Sequence, residues 1–155
     1  MVSDKVRSIA LCVFRRDDRL LVYEGYDSTE RDYYYRPLGG TIEFGERSAA
    51  AVVREIKEEL DAVICNVRRL GVLENLFVVD GRPGHEIVML YEADFVDQTM
   101  YDRSPVWGQE DDGSSIKAYW KLIRDFEEGI GRLVPEGLLE MLTGRDSVKS
   151  GGWRT

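Results

Sequence analysis

A glycine loop that runs directly into an acidic helix is the feature that most limits how this chain can fold. The segment from Gly40 to Ala62 reads GTIEFGERSAAAVVREIKEELDA. Ser48 is predicted to cap the helix, and the three alanines that follow it favour helical backbone. At ordinary residue frequencies, the chance of meeting the defining positions at a given start is on the order of 10⁻⁸. Those positions are Gly40, Glu46, Arg54, Glu55, Ile56, Glu58 and Glu59.

The helical period brings three carboxylates of this segment to one side of the predicted helix. At about 100° per residue, Glu55, Glu58 and Glu59 fall within an arc of roughly 100°. The adjacent arc is apolar and is expected to face a core; its residues are Val52, Val53, Ile56 and Leu60. Like charges at these spacings repel each other, and a cation between them turns that repulsion into attraction. Carboxylate oxygens are hard ligands, so the cluster suits Mg²⁺ or Mn²⁺ together with substrate phosphates.

A simpler interpretation is that the sequence REIKEE forms only a solvated helix face. Lys57 and Arg54 could pair with the neighbouring acids, as charge runs on helices commonly do. The glycine loop and Glu46 stand at fixed offsets before the helix, and a solvated face gives no reason for them. The whole pattern therefore favours the metal-binding interpretation.

The segment resembles the Nudix box, which defines the Nudix hydrolases. The resemblance implies an α+β fold: an α/β/α sandwich with a mixed, mostly antiparallel sheet between helices. It implies hydrolysis of a nucleoside diphosphate linked to another group, with Mg²⁺ as cofactor and Mn²⁺ as an alternative ion. By position, the metal ligands would be Glu55, Glu58, Glu59 and the main-chain carbonyl of Gly40. Arg54 would orient a catalytic glutamate, and Glu46 would help to bridge the loop and the helix.

One position departs from the family pattern. Asp61 stands where a glycine is usual, at the predicted end of the helix. That glycine adopts a left-handed conformation, which Asp is among the few other residues to tolerate. The departure affects how the helix ends and leaves the predicted metal ligands in place.

Composition and charge exclude several other classes of protein. The chain has 155 residues, of which 43% are hydrophobic, as expected for one domain with a substantial core. We predict that domain at 1–146, followed by a frayed tail at 147–155. The net charge of −8 argues against binding to DNA or to an anionic membrane. The expected partner is a small diphosphate or nucleotide substrate, and a homodimer stays open.

Two features of the sequence predict the cellular location. No apolar run reaches the length of a signal peptide or of a membrane span. Cys12 and Cys65 each lie among apolar residues and are expected to be buried thiols, with a disulfide as the alternative. Both observations favour a cytoplasmic protein.

Strands are predicted on both sides of the acidic helix. They cover 6–14, 20–24, 33–36, 67–79, 85–95 and 116–123. A short helix is predicted from Glu136 to Leu142, after Pro135. The segment from Val96 to Ser114 is predicted to be a long acidic loop, and such loops are often functional.

The long loop offers a second source of carboxylates. A residue outside the helix could act as general base or complete the metal shell, and Glu110 is the preferred candidate for that catalytic role over Asp111 and Asp112. A solvated acidic loop is the alternative for each of them.

The residues that bind the rest of the substrate are less constrained. Arg36, Gly39 and Tyr35 precede the box and are predicted to contact substrate, although Arg36 could instead form a surface ion pair. Tyr35 and its two preceding tyrosines also suit an ordinary strand. His85, the single histidine, is predicted to be structural.

Three functions are compatible with these residues. The first is a metal-dependent nucleotide pyrophosphohydrolase, and the second is a hydrolase of non-nucleotide diphosphates. The third is a nucleotide-sensing domain that keeps the fold without turnover. No second motif selects one substrate, and a fold alone cannot do so.

Overall fold

The structure, a computed structural model, describes residues 4–144. Within that range ten strands follow in chain order: β1 (Arg7–Val13), β2 (Arg15–Arg16), β3 (Arg19–Asp27), β4 (Asp32–Arg36), β5 (Leu38–Thr41), β6 (Ile64–Val79), β7 (Arg82–Phe95), β8 (Val106–Gln109), β9 (Ser115–Leu122) and β10 (Arg132–Leu133). The helices of the same range are α1 (Ser48–Leu60), α2 (Ile123–Glu127), α3 (Leu138–Thr143) and a 3₁₀ helix (Gln98–Asp102). None of these helices is long and apolar enough to cross a membrane.

The strands form two mixed sheets. The four-stranded sheet has the order β5-β1-β7-β6, and its β1 and β7 are parallel while its other pairs are antiparallel. The six-stranded sheet has the order β10-β4-β3-β9-β8, with β2 paired to β3 and only β10 parallel to its neighbour. The predicted α+β fold with mostly antiparallel pairing is therefore confirmed, with the strands divided between two sheets.

Strand β1 lies at the centre of the fold and is buried on both faces. Its sequence is almost continuously apolar, as expected for a strand covered on both sides. Ala10 and Cys12 face a cluster that contains Val52 and Ile56 of α1. Ile9, Leu11 and Val13 face a second cluster that contains residues of α2 and α3. Each fully buried aliphatic side chain contributes about 1.5–3 kcal/mol, so β1 holds the layers of the sandwich together.

The prediction of a long loop between Val96 and Ser114 is wrong in part. The segment contains the 3₁₀ helix and strand β8, in which Trp107 pairs with Lys117 of β9. The partner strand supplies the hydrogen bonds of β8, and a four-residue strand has too little pattern of its own to be predicted. The five-residue helix α2 was missed for the same reason of length. The tail predicted at 147–155 lies outside the described residues.

The other elements lie close to their predicted positions. The strand predicted at 6–14 is confirmed as β1, and the hairpin predicted at 67–95 is confirmed as β6 and β7, with β6 starting earlier. The C-terminal helix begins at Leu138, two residues later than predicted. Cys12 is a buried free thiol as expected, and burial raises the pKa of that thiol; Cys65 is free but only half-buried.

The two ends of α1 differ from each other in how well they were predicted. The helix begins at Ser48, but Arg47 is the capping residue, so the predicted cap is wrong: the Ser48 hydroxyl is hydrogen-bonded to the Tyr91 hydroxyl instead. Asp61 adopts the left-handed conformation, with φ 51° and ψ 39°, as predicted from its place in the pattern. Its main-chain N–H donates to the Lys57 carbonyl at 3.0 Å and so closes the last turn. Val53 is 43% exposed and does not face the core.

The left-handed backbone at Asp61 gives a prediction about stability. Asp61→Gly should unfold at the same temperature as the wild type or slightly higher, because glycine adopts this conformation without a steric cost. Asp61→Val should lower Tm by about 3 °C or more, because a β-branched side chain is disfavoured there. Circular dichroism melting of both variants tests this expectation.

Lys57→Met is the matched control, since it removes the exposed Lys57–Asp61 ion pair and leaves the backbone of Asp61 unchanged. Its Tm should lie close to that of the wild type. A lower Tm for Asp61→Gly than for Asp61→Val would contradict the prediction.

Candidate active site

Two of the three carboxylates predicted to bind metal lie on the buried face of α1. Glu55 and Glu59 are 8% and 7% exposed, whereas Glu58 lies on the exposed side of the helix. The acids were expected at the edge of the apolar stripe, but two of them share the buried face with Val52 and Ile56. This arrangement depends on Gly40 of β5, since a Cβ atom there would lie 2.6 Å from the carboxyl carbon of Glu55. The loop glycine therefore makes room for a buried carboxylate.

The guanidinium of Arg54 connects the loop to the acids of the helix. Its Nε and Nη2 donate to the two carboxylate oxygens of Glu46 at 2.8 and 2.9 Å. Its Nη1 donates to Glu55 at 2.9 Å and to Glu58 at 3.2 Å, and Nη2 also donates to the Thr41 carbonyl at 3.0 Å. Bidentate pairing of this kind fixes the plane of the guanidinium.

These contacts shift the pKa values of both partners. Hydrogen bonding to Arg54 lowers the pKa of Glu46 to about 2, and hydrogen bonding to Glu46 is the main cause that raises the pKa of Arg54 further above its usual range. The pKa of Glu55 is raised, because its burial outweighs the attraction of Arg54. Arg54 is thus held in place by one strongly ionised carboxylate and itself holds a partly desolvated one.

Glu59 carries the least compensated charge of the site. Its Oε2 is buried and has no hydrogen-bond partner within residues 4–144. Burial raises the pKa of Glu59 to about 9, and the negative charges of Glu110 and Glu55 add to the rise. The charge of Arg36 and the main-chain N–H of Gly39 oppose it. A buried carboxylate in this condition needs either a proton or a cation.

Strand β8 brings the second acidic segment to the helix. A Cβ atom on Gly108 would lie 2.3 Å from the main-chain oxygen of Glu59, so only glycine permits this close approach. The turn after β8 is closed by the Glu110 N–H, which donates to the Ser114 carbonyl at 2.8 Å. Glu110 is half-buried there, near enough to raise the pKa of Glu59, and Asp111 acts in the same way on Glu55. Asp112 instead accepts hydrogen bonds from the N–H and hydroxyl of Ser114.

The oxygen donors of the site suit a divalent cation, although they are not yet gathered around one point. Within residues 4–144 no three acidic, histidine or cysteine side chains lie close enough together to hold a metal ion. Arg54 contacts only Oε1 of Glu55 and Oε2 of Glu58, so a cation could bind at the other oxygen of each carboxylate. The unpaired Oε2 of Glu59 is a third hard donor. These oxygens are therefore donors of the kind that a divalent cation takes in proteins.

The structure brings some of the predicted substrate residues to the acids and not others. Arg36 and Gly39 lie beside Glu59 and affect its pKa. Tyr35 lies on the opposite face of the six-stranded sheet, where its ring packs against Phe126 and its hydroxyl donates to Glu24 at 2.9 Å. The structure does not bring Tyr35 to the site.

His85 is also remote, since its Nε2 is 2.9 Å from Glu74 in the β6–β7 hairpin. This position agrees with the structural role predicted for it.

Tyr23 is a site residue that was not predicted from the sequence. It lies on β3 opposite Arg36 of β4, and it is half-buried. Burial raises the pKa of its hydroxyl, and Tyr34 and Glu110 raise it further. Side chains alternate along β3, so Tyr23 lies on the same face as Leu21, which packs under α1. This alternation is the one feature of the sequence from which the position of Tyr23 could have been predicted.

The Arg54–Glu46 pair predicts a pH-dependent contribution to stability. Because the pKa of Glu46 is lower in the folded chain, this contribution is complete above the ordinary Glu pKa of about 4.3 and is lost as pH falls towards about 2. Glu46→Gln should therefore lower the urea midpoint at pH 7, and the difference from the wild type should shrink as pH falls through that window.

Glu43→Gln is a suitable control, because Glu43 is exposed and lies 3.8 Å from Arg54. It should change the midpoint little at any pH. A difference for Glu46→Gln that is absent at pH 7, or that stays constant down to about pH 2.5, would contradict the prediction.

Comparison with known proteins agrees with this geometry. The profile of the NUDIX domain matches residues 4–136. The fold is similar to that of a NUDIX hydrolase from Nitrosomonas europaea, with a TM-score of 0.58 and 18% identity over 90% of this chain and 87% of that one. It is also similar to the MutT NUDIX hydrolase from Burkholderia pseudomallei, with a TM-score of 0.57 and 19% identity over 78% of this chain and 86% of the other.

The similarity to these structures shows the fold. The domain profile shows the family, because the profile matches well over half of the chain and includes the whole segment from Gly40 to Ala62. The chain belongs to the Nudix family of hydrolases.

Proposed function

We propose that this protein is a metal-dependent hydrolase that cleaves the diphosphate linkage of a nucleoside diphosphate joined to another group. The observation that carries the proposal is the buried carboxylate of Glu59, whose Oε2 has no hydrogen-bond partner within residues 4–144 and is open to a cation. Glu55 and Glu58 lie beside it on α1, and the loop that carries Glu110 faces it. A diphosphate approaching these acids needs a divalent ion between the two sets of negative charges.

Each residue of the site has a distinct part in the proposed reaction. Glu55, Glu58, Glu59 and the main-chain carbonyl of Gly40 would hold Mg²⁺, with Mn²⁺ as an alternative. When bound, such an ion neutralises phosphate oxygens and acidifies a coordinated water. Arg54 keeps the Glu55 carboxylate in one orientation through its 2.9 Å hydrogen bond, and it is itself fixed by Glu46.

Proton transfer from the attacking water requires a base near the acids of α1. Glu110 is half-buried, and the turn that begins with it is closed by hydrogen bonds at both ends. Its charge acts on Glu59, so its carboxylate lies near the acids of α1. We assign Glu110 as the general base, and Arg36 as a contact to a phosphate oxygen.

The substrate class and the cellular location are proposed from other observations. One of the similar structures is that of a MutT NUDIX hydrolase, and the net charge of −8 disfavours nucleic acid as a substrate. We therefore propose a small nucleotide as the substrate, and the free thiols of Cys12 and Cys65 favour a cytoplasmic location.

Turnover of a substrate panel is the first test of the function. Wild-type protein should release phosphate or monophosphate from at least one of a set of nucleotide, prenyl and inositol diphosphates in Mg²⁺ or Mn²⁺, and not in chelator. Glu58→Gln should lower that turnover by about 10–100-fold, because a carboxylate ligand is lost. Glu128→Gln, an exposed acid at the end of α2, should have no effect.

The outcomes separate the three functions. Hydrolysis confined to prenyl or inositol compounds would favour the non-nucleotide alternative. No turnover of any compound, together with nucleotide binding that survives Glu58→Gln, would favour a sensing domain.

The assignment of the general base is tested separately. Glu110→Gln should lower turnover by at least about tenfold, since a side chain that accepts the proton is lost. The metal concentration that gives half-maximal activity should stay within about twofold, because Glu110 is not one of the ligands on α1. Asp111→Asn, on the exposed neighbour, should lower turnover less. Unchanged turnover in Glu110→Gln would remove this residue from the mechanism.

A further inference from the structure

A cavity of about 150 Å³ lies between strands β4, β6 and β10, and Arg36 of its lining also acts on Glu59 of the acidic site. Its lining includes Tyr34, Arg36, Asn75, Phe77, Arg132 and Val134. Two of these side chains are guanidinium groups, and no carboxylate is part of the lining. The cavity is therefore basic in a chain whose net charge is −8.

Both arginines have hydrogen-bonding capacity that the rest of the chain does not use. The Nε atom of Arg36 is buried and has no hydrogen-bond partner in the described part of the chain. The Nη2 atom of Arg132 lies 4.0 Å from Oδ2 of Asp27, which is too long for a hydrogen bond. A buried guanidinium N–H without an acceptor is costly, so an acceptor brought by a ligand would offset that cost at Arg36.

Asp27 and Arg132 form an ion pair without a hydrogen bond between them, and the Oδ2 of Asp27 has no hydrogen-bond partner within residues 4–144. Asp27 is 1% exposed, and its Oδ1 accepts from the main-chain N–H groups of Thr29, Glu30 and Asp80. These bonds fix the carboxylate behind Arg132, while 45% of the Arg132 side chain stays exposed. Its guanidinium therefore keeps donors for a ligand in the cavity that it lines.

Arg36 links the cavity to the acids. It lines the cavity, and its charge also acts on Glu59 and on Tyr23. Tyr34, another lining residue, acts on Tyr23 as well. A molecule whose diphosphate lies at the acids can thus reach the cavity with the group attached to that diphosphate.

Size limits what the cavity can take. A volume of about 150 Å³ accommodates a group of the size of benzene, such as one ring or one phosphoryl group, and not a whole nucleoside. A neutral ring could pack against Tyr34 and Phe77, but it would leave the buried Nε of Arg36 without an acceptor. A phosphate or carboxylate satisfies both arginines, since each offers acceptor oxygens in the geometry of a guanidinium fork.

We infer that this cavity is a specificity site for a second anionic group, a phosphate or a carboxylate, carried by the part of the substrate beyond the diphosphate. The inference rests on the proposed function in that it takes the diphosphate to lie at the acids of α1. Arg132 is the residue that selects the anion, and Arg36 contacts both ends of the substrate.

Matched ligand pairs test the inference. UDP-glucose and UDP-glucuronate differ by a carboxylate, and ADP-ribose and its 2′-phosphate differ by a phosphate. Each is titrated with Ca²⁺, whose larger and looser coordination is expected to bridge the diphosphate and the acids without supporting turnover, against protein labelled for NMR detection of the arginine Nε–H groups. The wild type should bind the anionic member of at least one pair about tenfold more tightly, with shifts of the Arg36 and Arg132 signals.

Two variants show whether Arg132 is responsible. Arg132→Gln should reduce the preference to within about twofold, whereas Arg124→Gln, an exposed arginine of α2, should keep it. The preferred pair identifies the anion. Equal affinities within both pairs, binding of none of the four ligands, or a preference that survives Arg132→Gln would each overturn the inference.

The same experiment separates this inference from the proposed function, because it measures binding without turnover. If the protein hydrolyses diphosphates but does not distinguish the pairs, only the inference of an anion site is contradicted. If the protein distinguishes the pairs but hydrolyses nothing in the substrate panel, the anion site is supported and the proposed reaction is contradicted.

Discussion

The guanidinium of Arg54 is the group on which the rest of the site depends. Glu55 is buried, and Arg54 supplies the cationic hydrogen bond that partly offsets the cost of that burial. The same guanidinium ties the glycine loop to α1 through Glu46 and through the Thr41 carbonyl. A lysine has one point of charge and cannot reproduce this planar set of donors. The loop, the helix and the acids therefore form one unit around a single side chain.

Close backbone approach is the second constraint, and it explains why the acids can be buried at all. Gly40 lets the Glu55 carboxylate rest against β5, and Gly108 lets β8 rest against the end of α1. Desolvation then outweighs the attraction of the nearby cations at both Glu55 and Glu59, so both pKa values are raised. The folded chain keeps this unfavourable electrostatic arrangement in place by the packing of Val52 and Ile56 in the core. Carboxyl groups whose pKa values are shifted by burial and by neighbouring charges are typical of functional sites.

Much of the site could be predicted from the sequence because its residues are close together in the chain. The helical period and the spacing of REIKEE place Glu55, Glu58 and Glu59 near one another without any knowledge of the fold. Tertiary packing decided the rest. Burial of Glu59 depends on the approach of Gly108 in β8, which is far from Glu59 along the chain, and the position of Tyr35 depends on which face of β4 is turned towards α2. Likewise Ser48 bonds to Tyr91, a residue of β7, where local preference predicted a helix cap.

Strand β1 has a consequence for how the molecule comes apart. Its two faces belong to the two apolar clusters, one under α1 and one under α2 and α3, and its edges are paired with β5 and β7. Neither layer can separate without exposing one side of this strand to water, which makes partial unfolding expensive. The two layers consequently form one cooperative unit, in which the main-chain amides of β1 exchange with solvent only when the whole domain opens.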